Sequence, residues 1–424
     1  MNCSRDSQPE SAPSQRRAKG QKNWLPEQPS TLPTGSSIAI IGAGISGATA
    51  AAELASAGFL VTVFEAENAP AMAASGNIAG NCLPVVDRGN TPYNQWYWQA
   101  WRLAYHWWEG QEDRDQLGDL SGAFKWSTNT HKQTTWRKWV NELDKPELAQ
   151  WGCPLVDAPD TEGVWFKQGG YLVPSQVVKR LLRHPNIHVR TNASVSALEQ
   201  QGCAWRLSVD EGSSEDFDAV VVATGAQTAR LLPEWTNFLQ LNKGQVTHFN
   251  AADWLTAPSM VLSYGGYATP AVNGVTCVGA TFEGSAPLGL THEGHHHNVT
   301  MLRDVFPDAL FSHAQPIGGH SAYRAMTSDH LPLVGQSVAV NAYQLRMRAC
   351  ALHPDTCPDG TDLLLPNLWL TLGQGSRGLT SSFLSAAVLR AQITGQATPV
   401  TEKLKLAVHP ARVIFRQLTQ NALK

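Results

Sequence analysis

The sequence predicts an α/β chain in which a Rossmann-like dinucleotide-binding domain is interleaved with an α+β domain built on an antiparallel sheet. Three observations carry that expectation. A strand, helix and strand with spaced glycines run through IAIIGAGISGATAAAELASAGFLVTVFEAE. Two more buried strands end in glycine turns far down the chain, in FDAVVVATGA and LWLTLGQGSRGL. Between them lie long segments of different patterning. With 424 residues and 42% hydrophobic content the chain can bury a large core and fill two domains.

In the first unit, Gly42, Gly44 and Gly47 complete G-x-G-x-x-G directly after the apolar strand Ile38 to Ile41 and open an alanine-rich helix. Gly42 makes the turn, Gly44 leaves backbone room for a pyrophosphate over Ile45 and Ser46, and Gly47 lets the helix lie on the strand. Glu65, closing the second strand, suits both ribose hydroxyls of an adenosine without a 2′-phosphate. The apolar run from Ile38 to Phe64 is broken by glycines and by Glu53, so it is not read as a membrane span.

Residues 1–36, rich in Ser, Gln and Pro, read as a flexible tail. A mitochondrial presequence is disfavoured by Asp6, Glu10 and Glu27 among the basic residues. A net charge of -3 excludes nucleic-acid binding by global charge, leaving only a local patch. The seven cysteines, at 3, 82, 153, 203, 277, 350 and 357, have no C-x-x-C pair. They suggest neither a disulfide framework nor a zinc cage, and a reducing cytoplasm fits them.

After the second strand comes APAMAASGNIAGNCLP, with Ser75, Gly76 and Asn77 in a loop of small residues. Such a loop resembles the one that wraps the pyrophosphate and flavin edge in the D-amino-acid-oxidase-like FAD family, of the wider glutathione-reductase type. The expected cofactor is therefore FAD. Ala223, Thr224 and Gly225 end one buried strand, and Gly375, Ser376, Arg377, Gly378 and Leu379 form the turn that aims a helix N-terminus at the flavin ring. The resemblance adds Ala66 and Val195 to the expected cofactor contacts. FAD-binding segments are placed at 37–85, 165–235 and 320–424, with the substrate domain at 86–164 and 236–319.

The first insertion carries Trp96, Tyr97, Trp98, Trp101, Tyr105, Trp107 and Trp108 on an expected helix. Core packing is favoured there over a base-stacking platform. The second insertion alternates apolar and polar residues as antiparallel strands do. HEGHHH (292–297) reads as a polar turn between strands and not as a metal site. RLLRHPNIHVR (180–190) reads as a helix end and a strand, and RMRACALHPDTCPDG as a surface loop.

From Ser37 to about Arg416 the chain resembles the FAD-dependent oxidoreductase domain of the MnmC family of bacterial tRNA-modifying proteins. The motifs APAMAASGN, GGYLVP, KGQVTH, GGYATP, SDHLPLVG, GQGSRGL and HPAR carry the resemblance. The methyltransferase domain of that family has no room in the tail, so a separate methyltransferase is expected to act on the product. The resemblance implies oxidation of a carboxymethylaminomethyl uridine in the tRNA anticodon loop to the aminomethyl form, with release of glyoxylate. It places Arg324 on the substrate carboxylate, Arg377 as a second candidate, and Tyr264 and Tyr267 as closing groups. Lys243 is expected near the flavin edge or in solvent. The basic C-terminus, with Lys403, Lys405, Arg412, Arg416 and Lys424, mildly favours tRNA over a free amino acid. The rivals are a small-molecule amine or amino-acid oxidase of the same fold and a non-catalytic flavin-bound scaffold. No metal and no membrane are expected.

Overall fold

Short runs of β-branched and apolar residues, SIAII and LVTVF, form the parallel strands Ser37–Ile41 and Leu60–Phe64. They lie in a six-stranded sheet of order 333–338, 364–372, 219–222, 37–41, 60–64 and 187–190. All pairs are parallel except the first. Side chains alternate between two cores, as a strand requires. Ile38 and Ile40 face a cluster with helices Ile45–Ser56 and Gly378–Thr394, while Ala39 and Ile41 face a cluster with Trp205, Leu207, Val209 and Phe415. This is the expected doubly covered α/β sheet. The computed structural model describes residues 24–26, 31–86, 89–152, 154, 162–210, 212–254, 258–305 and 315–423.

A second, eight-stranded sheet is antiparallel as expected, except for one parallel pair, 261–263 with 123–125. Its order is 316–326, 240–250, 275–279, 267–268, 261–263, 123–125, 163–166 and 149–152. Its backbone is the pairing of two eleven-residue strands, Gln240–Asn250 and Pro316–Met326.

Packing redraws several expectations. The aromatic helix Pro92–Glu109 packs on both sides, with Trp98 against Trp139 beside the second sheet and other rings toward helix Gly378–Thr394. Trp96 and Tyr97 are buried in the nucleotide-side core, and Trp96 Nε1 donates to Ser381 Oγ at 2.9 Å. Strand Pro316–Met326, expected partly with the cofactor domain from residue 320, is an edge of the second sheet. Part of the expected tail is docked: Leu25 is buried, Trp24 stacks on Phe415 at 4.2 Å, and Leu32 donates to Ile393 O at 3.0 Å. The rest of the tail reading, residues 1–23 and 27–30, lies outside the described residues.

HEGHHH is the opening of helix His292–Arg303, capped by Thr291, whose side chain accepts from Gly294 N. Periodicity failed there because the buried positions are polar or small, Gly294 and Asn298 ahead of Leu302. Cys350 and Cys357 are joined by a disulfide and buried in the core instead of lying in a surface loop. The cysteine reading missed this seven-residue loop closure for lack of a close motif. No described helix is long and apolar enough to cross a membrane, and among the described residues no group of three His, Cys, Asp or Glu side chains could hold a metal.

Candidate active site

The three glycines of the fingerprint do different work. Gly42 has φ +103°, and a Cβ there would lie 2.8 Å from Ala223 O, so the turn also makes room for the strand end at 223–225. A Cβ on Gly47 would overlap Gly42 O, whereas one on Gly44 would meet only Ser75 Oγ, at 3.3 Å. Gly44 thus leaves open the approach to the first turn of the helix, where Ser46 and Gly47 amides precede the first intrahelical bond.

Ser75, on the short turn Ala74–Gly76, accepts from Ile45 N at 3.0 Å. Glu65 is held at the strand end by Ala43 N on Oε2 at 2.8 Å and Glu67 N on Oε1 at 3.0 Å. Exposed Ala66 follows it. Val195 opens strand Val195–Gln201, just beyond Ala193, whose N–H donates to Glu65 O. Ser46 Oγ lies 3.2 Å from Ser382 Oγ, so the N-terminal turns of both glycine-led helices sit side by side. The turn Gly375–Arg377 feeds the second of them, and Leu379 packs over Gly80. Thr224 Oγ1 pairs with Thr228 Oγ1 at 3.0 Å, and Gly225, with φ +53°, has open space above it. Two helix N-termini with a carboxylate between strand ends are the donor set a dinucleotide needs, so these residues fit FAD.

Across from this cradle stands the second sheet. Arg324, on strand Pro316–Met326, faces Asn242 in the neighbouring strand. Its guanidinium fills the space where a Cβ on Gly244 would be, which explains the glycine in KGQV. Arg324 Nη1 donates to Thr281 O at 3.0 Å, and its Cζ lies 4.6 Å from the centre of the Phe282 ring. Among the described residues no carboxylate pairs with it. Burial lowers its pKa and the neighbouring Tyr267 opposes that.

Tyr267 Oη accepts from Asn77 Nδ2 at 2.8 Å, so the small-residue loop is tied directly to the second sheet. Burial, then Cys277, pushes the Tyr267 hydroxyl well above its ordinary value, keeping it a neutral donor. Tyr264 donates to Tyr267 O at 3.3 Å, which ties it to Tyr267.

Arg377 sits 5.3 Å over the Tyr97 ring, and Tyr97 donates to His330 O at 2.7 Å. The strand bearing Arg324 and the turn bearing Arg377 abut, because Met326 and Gln374 form a bridge. Lys243 is not in solvent: it is 1% exposed and bonded to Glu283 at 2.9 Å. Three residues had no motif to announce them. Lys125 lies 4.9 Å over the Trp136 ring, and burial, then the charges of Arg377 and Lys132, bring its pKa down to about 8. Phe282 and Glu283 were legible only as strand residues.

Part of the C-terminal charge is paired within the fold. Arg412, 5% exposed, donates to both oxygens of Asp329, Arg416 reaches the same carboxylate, and Lys405 pairs with Glu402. Arg412 therefore holds SDHLPLVG to HPAR from inside the fold, while Arg416, with 43% of its side chain exposed, and Lys403 remain at the surface, and Lys424 lies outside the described residues.

The chain matches the family described as FAD dependent oxidoreductase over residues 37–392. It belongs to that family. FAD is accordingly its cofactor and redox chemistry its activity, as the cradle implies. Among curated proteins, the tRNA 5-methylaminomethyl-2-thiouridine biosynthesis bifunctional protein MnmC of Hydrogenovibrio crunogenus is 29% identical over 415 residues, covering 93% of this chain and 61% of that protein. MnmC of Chromobacterium violaceum is 30% identical over 410 residues, covering 91% and 61%. The chain thus spans about three-fifths of the length of these relatives. Glycine oxidase from Geobacillus kaustophilus superposes with a TM-score of 0.68 at 17% identity, over 86% of this chain and 97% of that one. Iminodiacetate oxidase from a Chelativorans species superposes with a TM-score of 0.68 at 19% identity, over 87% and 98%. At these identities the likeness concerns the fold.

Proposed function

We propose that this flavoenzyme oxidises the CH–NH group of an N-substituted glycine, the carboxymethylaminomethyl side chain of a wobble uridine in tRNA. The observation that carries the reading is Arg324: a largely buried guanidinium beside the cradle whose polar partner is a carbonyl and which no carboxylate among the described residues neutralises. A site of that kind calls for an anionic ligand, because a desolvated charge is otherwise expensive. FAD, held by the two helix N-termini and Glu65, would supply a hydride acceptor at the glycine methylene. Arg324 fixes the carboxylate by two parallel hydrogen bonds, and Tyr267, neutral and held by Asn77, donates a third. Arg377, propped on Tyr97, and Lys125 keep the chamber positive. This disfavours a protonated substrate amine and leaves its lone pair available. Loss of hydride from the methylene gives an imine. Water adds to it and cleaves the C–N bond, leaving the aminomethyl base and glyoxylate.

The similarity to MnmC proteins favours tRNA over a free amino acid, and a cytoplasmic setting follows from that substrate. A later methylation of the amine would fall to another active site. The test is to incubate the FAD-loaded protein with tRNA bearing the carboxymethylaminomethyl group, then measure glyoxylate and analyse wobble nucleosides by mass spectrometry. Equimolar glyoxylate and aminomethyl-uridine are expected. Oxidation of glycine or iminodiacetate with no reaction on tRNA would establish the small-molecule reading instead.

A further inference from the structure

We infer that Phe282 is a stacking platform for the pyrimidine ring of the substrate, an inference that rests on the tRNA reading above. Phe282 is 59% exposed and is the only aromatic among the exposed large hydrophobic residues of the described chain. It belongs to none of the hydrophobic clusters, so its ring packs in no core and meets the Arg324 guanidinium instead. Yet the backbone on both sides of it is pinned. Thr281 N donates to Gln245 O at 3.0 Å and Glu283 N to Lys243 O at 3.0 Å, while the Glu283 carboxylate is held by Thr281 Oγ1 and by Lys243 Nζ. A rigidly presented aromatic in solvent is a preorganised contact surface.

Its position gives the partner. The ring lies 4.6 Å from the guanidinium carbon of Arg324. In the substrate, four bonds separate the carboxyl carbon from C5 of the pyrimidine, a reach of about 5 Å when extended, given 3.8 Å for three bonds of a trans chain. A carboxylate on Arg324 therefore brings the base within contact of the Phe282 ring. The apolar edge continues outward from it. Gly289 N donates to Ser321 Oγ and Tyr323 Oη to Ala286 O, so segment 282–290 runs beside strand Pro316–Met326, and Leu288, Leu290 and Ile317 are exposed along it. A nucleobase offers an apolar π-face to such an edge. A free amino acid of the glycine type offers none.

The experiment compares wild type with Phe282→Ala, Phe282→Leu and Phe282→Trp at matched flavin content. One arm measures kcat/KM for glyoxylate release from hypomodified tRNA. The other measures the affinity for iminodiacetate, an N-substituted glycine without a ring, from the perturbation of the flavin absorption. Phe282→Ala should lose about 30-fold in kcat/KM on tRNA, mostly through KM, from the loss of one base stack. Phe282→Trp should retain the wild-type rate and Phe282→Leu should fall between, while iminodiacetate affinity, which feels only the loss of the ring contact with Arg324, should fall by no more than about fivefold in Phe282→Ala and Phe282→Leu and stay near wild type in Phe282→Trp. Equal losses on both ligands would mean that the ring serves only Arg324, and loss of FAD would mean that it covers the cofactor. Either result, or an unaltered tRNA rate, overturns the inference while leaving tRNA as substrate. Wild type inactive on tRNA would refute the functional reading and this inference with it.

Discussion

Arg324 is kept in place by very little: one carbonyl, one ring face and the absence of a side chain at Gly244. None of these neutralises its charge, so its removal should leave the fold and the FAD cradle intact. Truncating one partner of a desolvated, charge-assisted pair costs about 2 to 5 kcal/mol. Arg324→Ala should therefore retain flavin but lose about 30-fold or more in kcat/KM for glyoxylate release. Arg324→Lys should recover only part of that, since an ammonium cannot form the fork. Wild-type turnover in the alanine variant would remove Arg324 from the site, and loss of flavin would recast it as a structural cation.

The unit of strand Ser37–Ile41, glycine turn and helix Ile45–Ser56 separates two kinds of glycine. Gly47 is where the helix touches the preceding turn, and any Cβ there overlaps backbone that cannot yield. Gly47→Ala should destabilise the apoprotein by about 3 kcal/mol, read as a lowered urea midpoint. Gly44 has extended backbone that other residues adopt, and a Cβ there meets only the Ser75 hydroxyl, at 3.3 Å. Gly44→Val should therefore keep most of the apoprotein stability and fail to retain FAD, because the branched side chain stands where a pyrophosphate approaches the helix amides. Flavin content and urea midpoint, measured on both variants, should move in this crossed pattern. A shared loss of stability would mean that the two glycines are equivalent.

At the scale of the whole molecule, the C-terminal segment is tied to the loop that follows the Arg324 strand. Burial pushes Asp329 up, but hydrogen bonds and charge from Arg412, with Thr327 and Arg416, outweigh it and bring its pKa to about 2. Burial, then the charges of Arg412 and Lys405, brings His409 from 6.5 to about 3. Both folded-state values lie below the unfolded ones. Each group thus contributes stability that is fully present above its unfolded pKa and is lost as pH falls toward its folded one. Stability should begin to fall below pH 6.5 as the unfolded chain protonates His409 and His248, which burial and neighbouring histidines bring down to about 4, each at up to about 1.4 kcal/mol per pH unit. The fall should steepen below pH 3.8, where Asp329 adds its proton. His409→Asn should flatten the upper part of the urea-midpoint curve and leave the lower part. An unchanged curve would mean that His409 does not titrate with unfolding.

What the sequence alone determined was local. Glycine spacing, strand alternation and capping signals act over a few residues, so the dinucleotide unit, the buried strand 219–222, the aromatic helix and the antiparallel second sheet were legible in order. So were Arg324, Asn77 and Tyr267 as candidates, since short motifs accompany them. Pairing across the chain was not legible. That Arg412 meets Asp329, that Lys243 meets Glu283, that Trp24 docks on Phe415 and that Cys350 joins Cys357 depends on which faces come together once two sheets have packed. Tertiary structure therefore decided which charges are internal and which cation lacks an anion among the described residues. The reason is that desolvation and partner geometry, which set the energy of a charge, are properties of the packed interior and have no period in the chain.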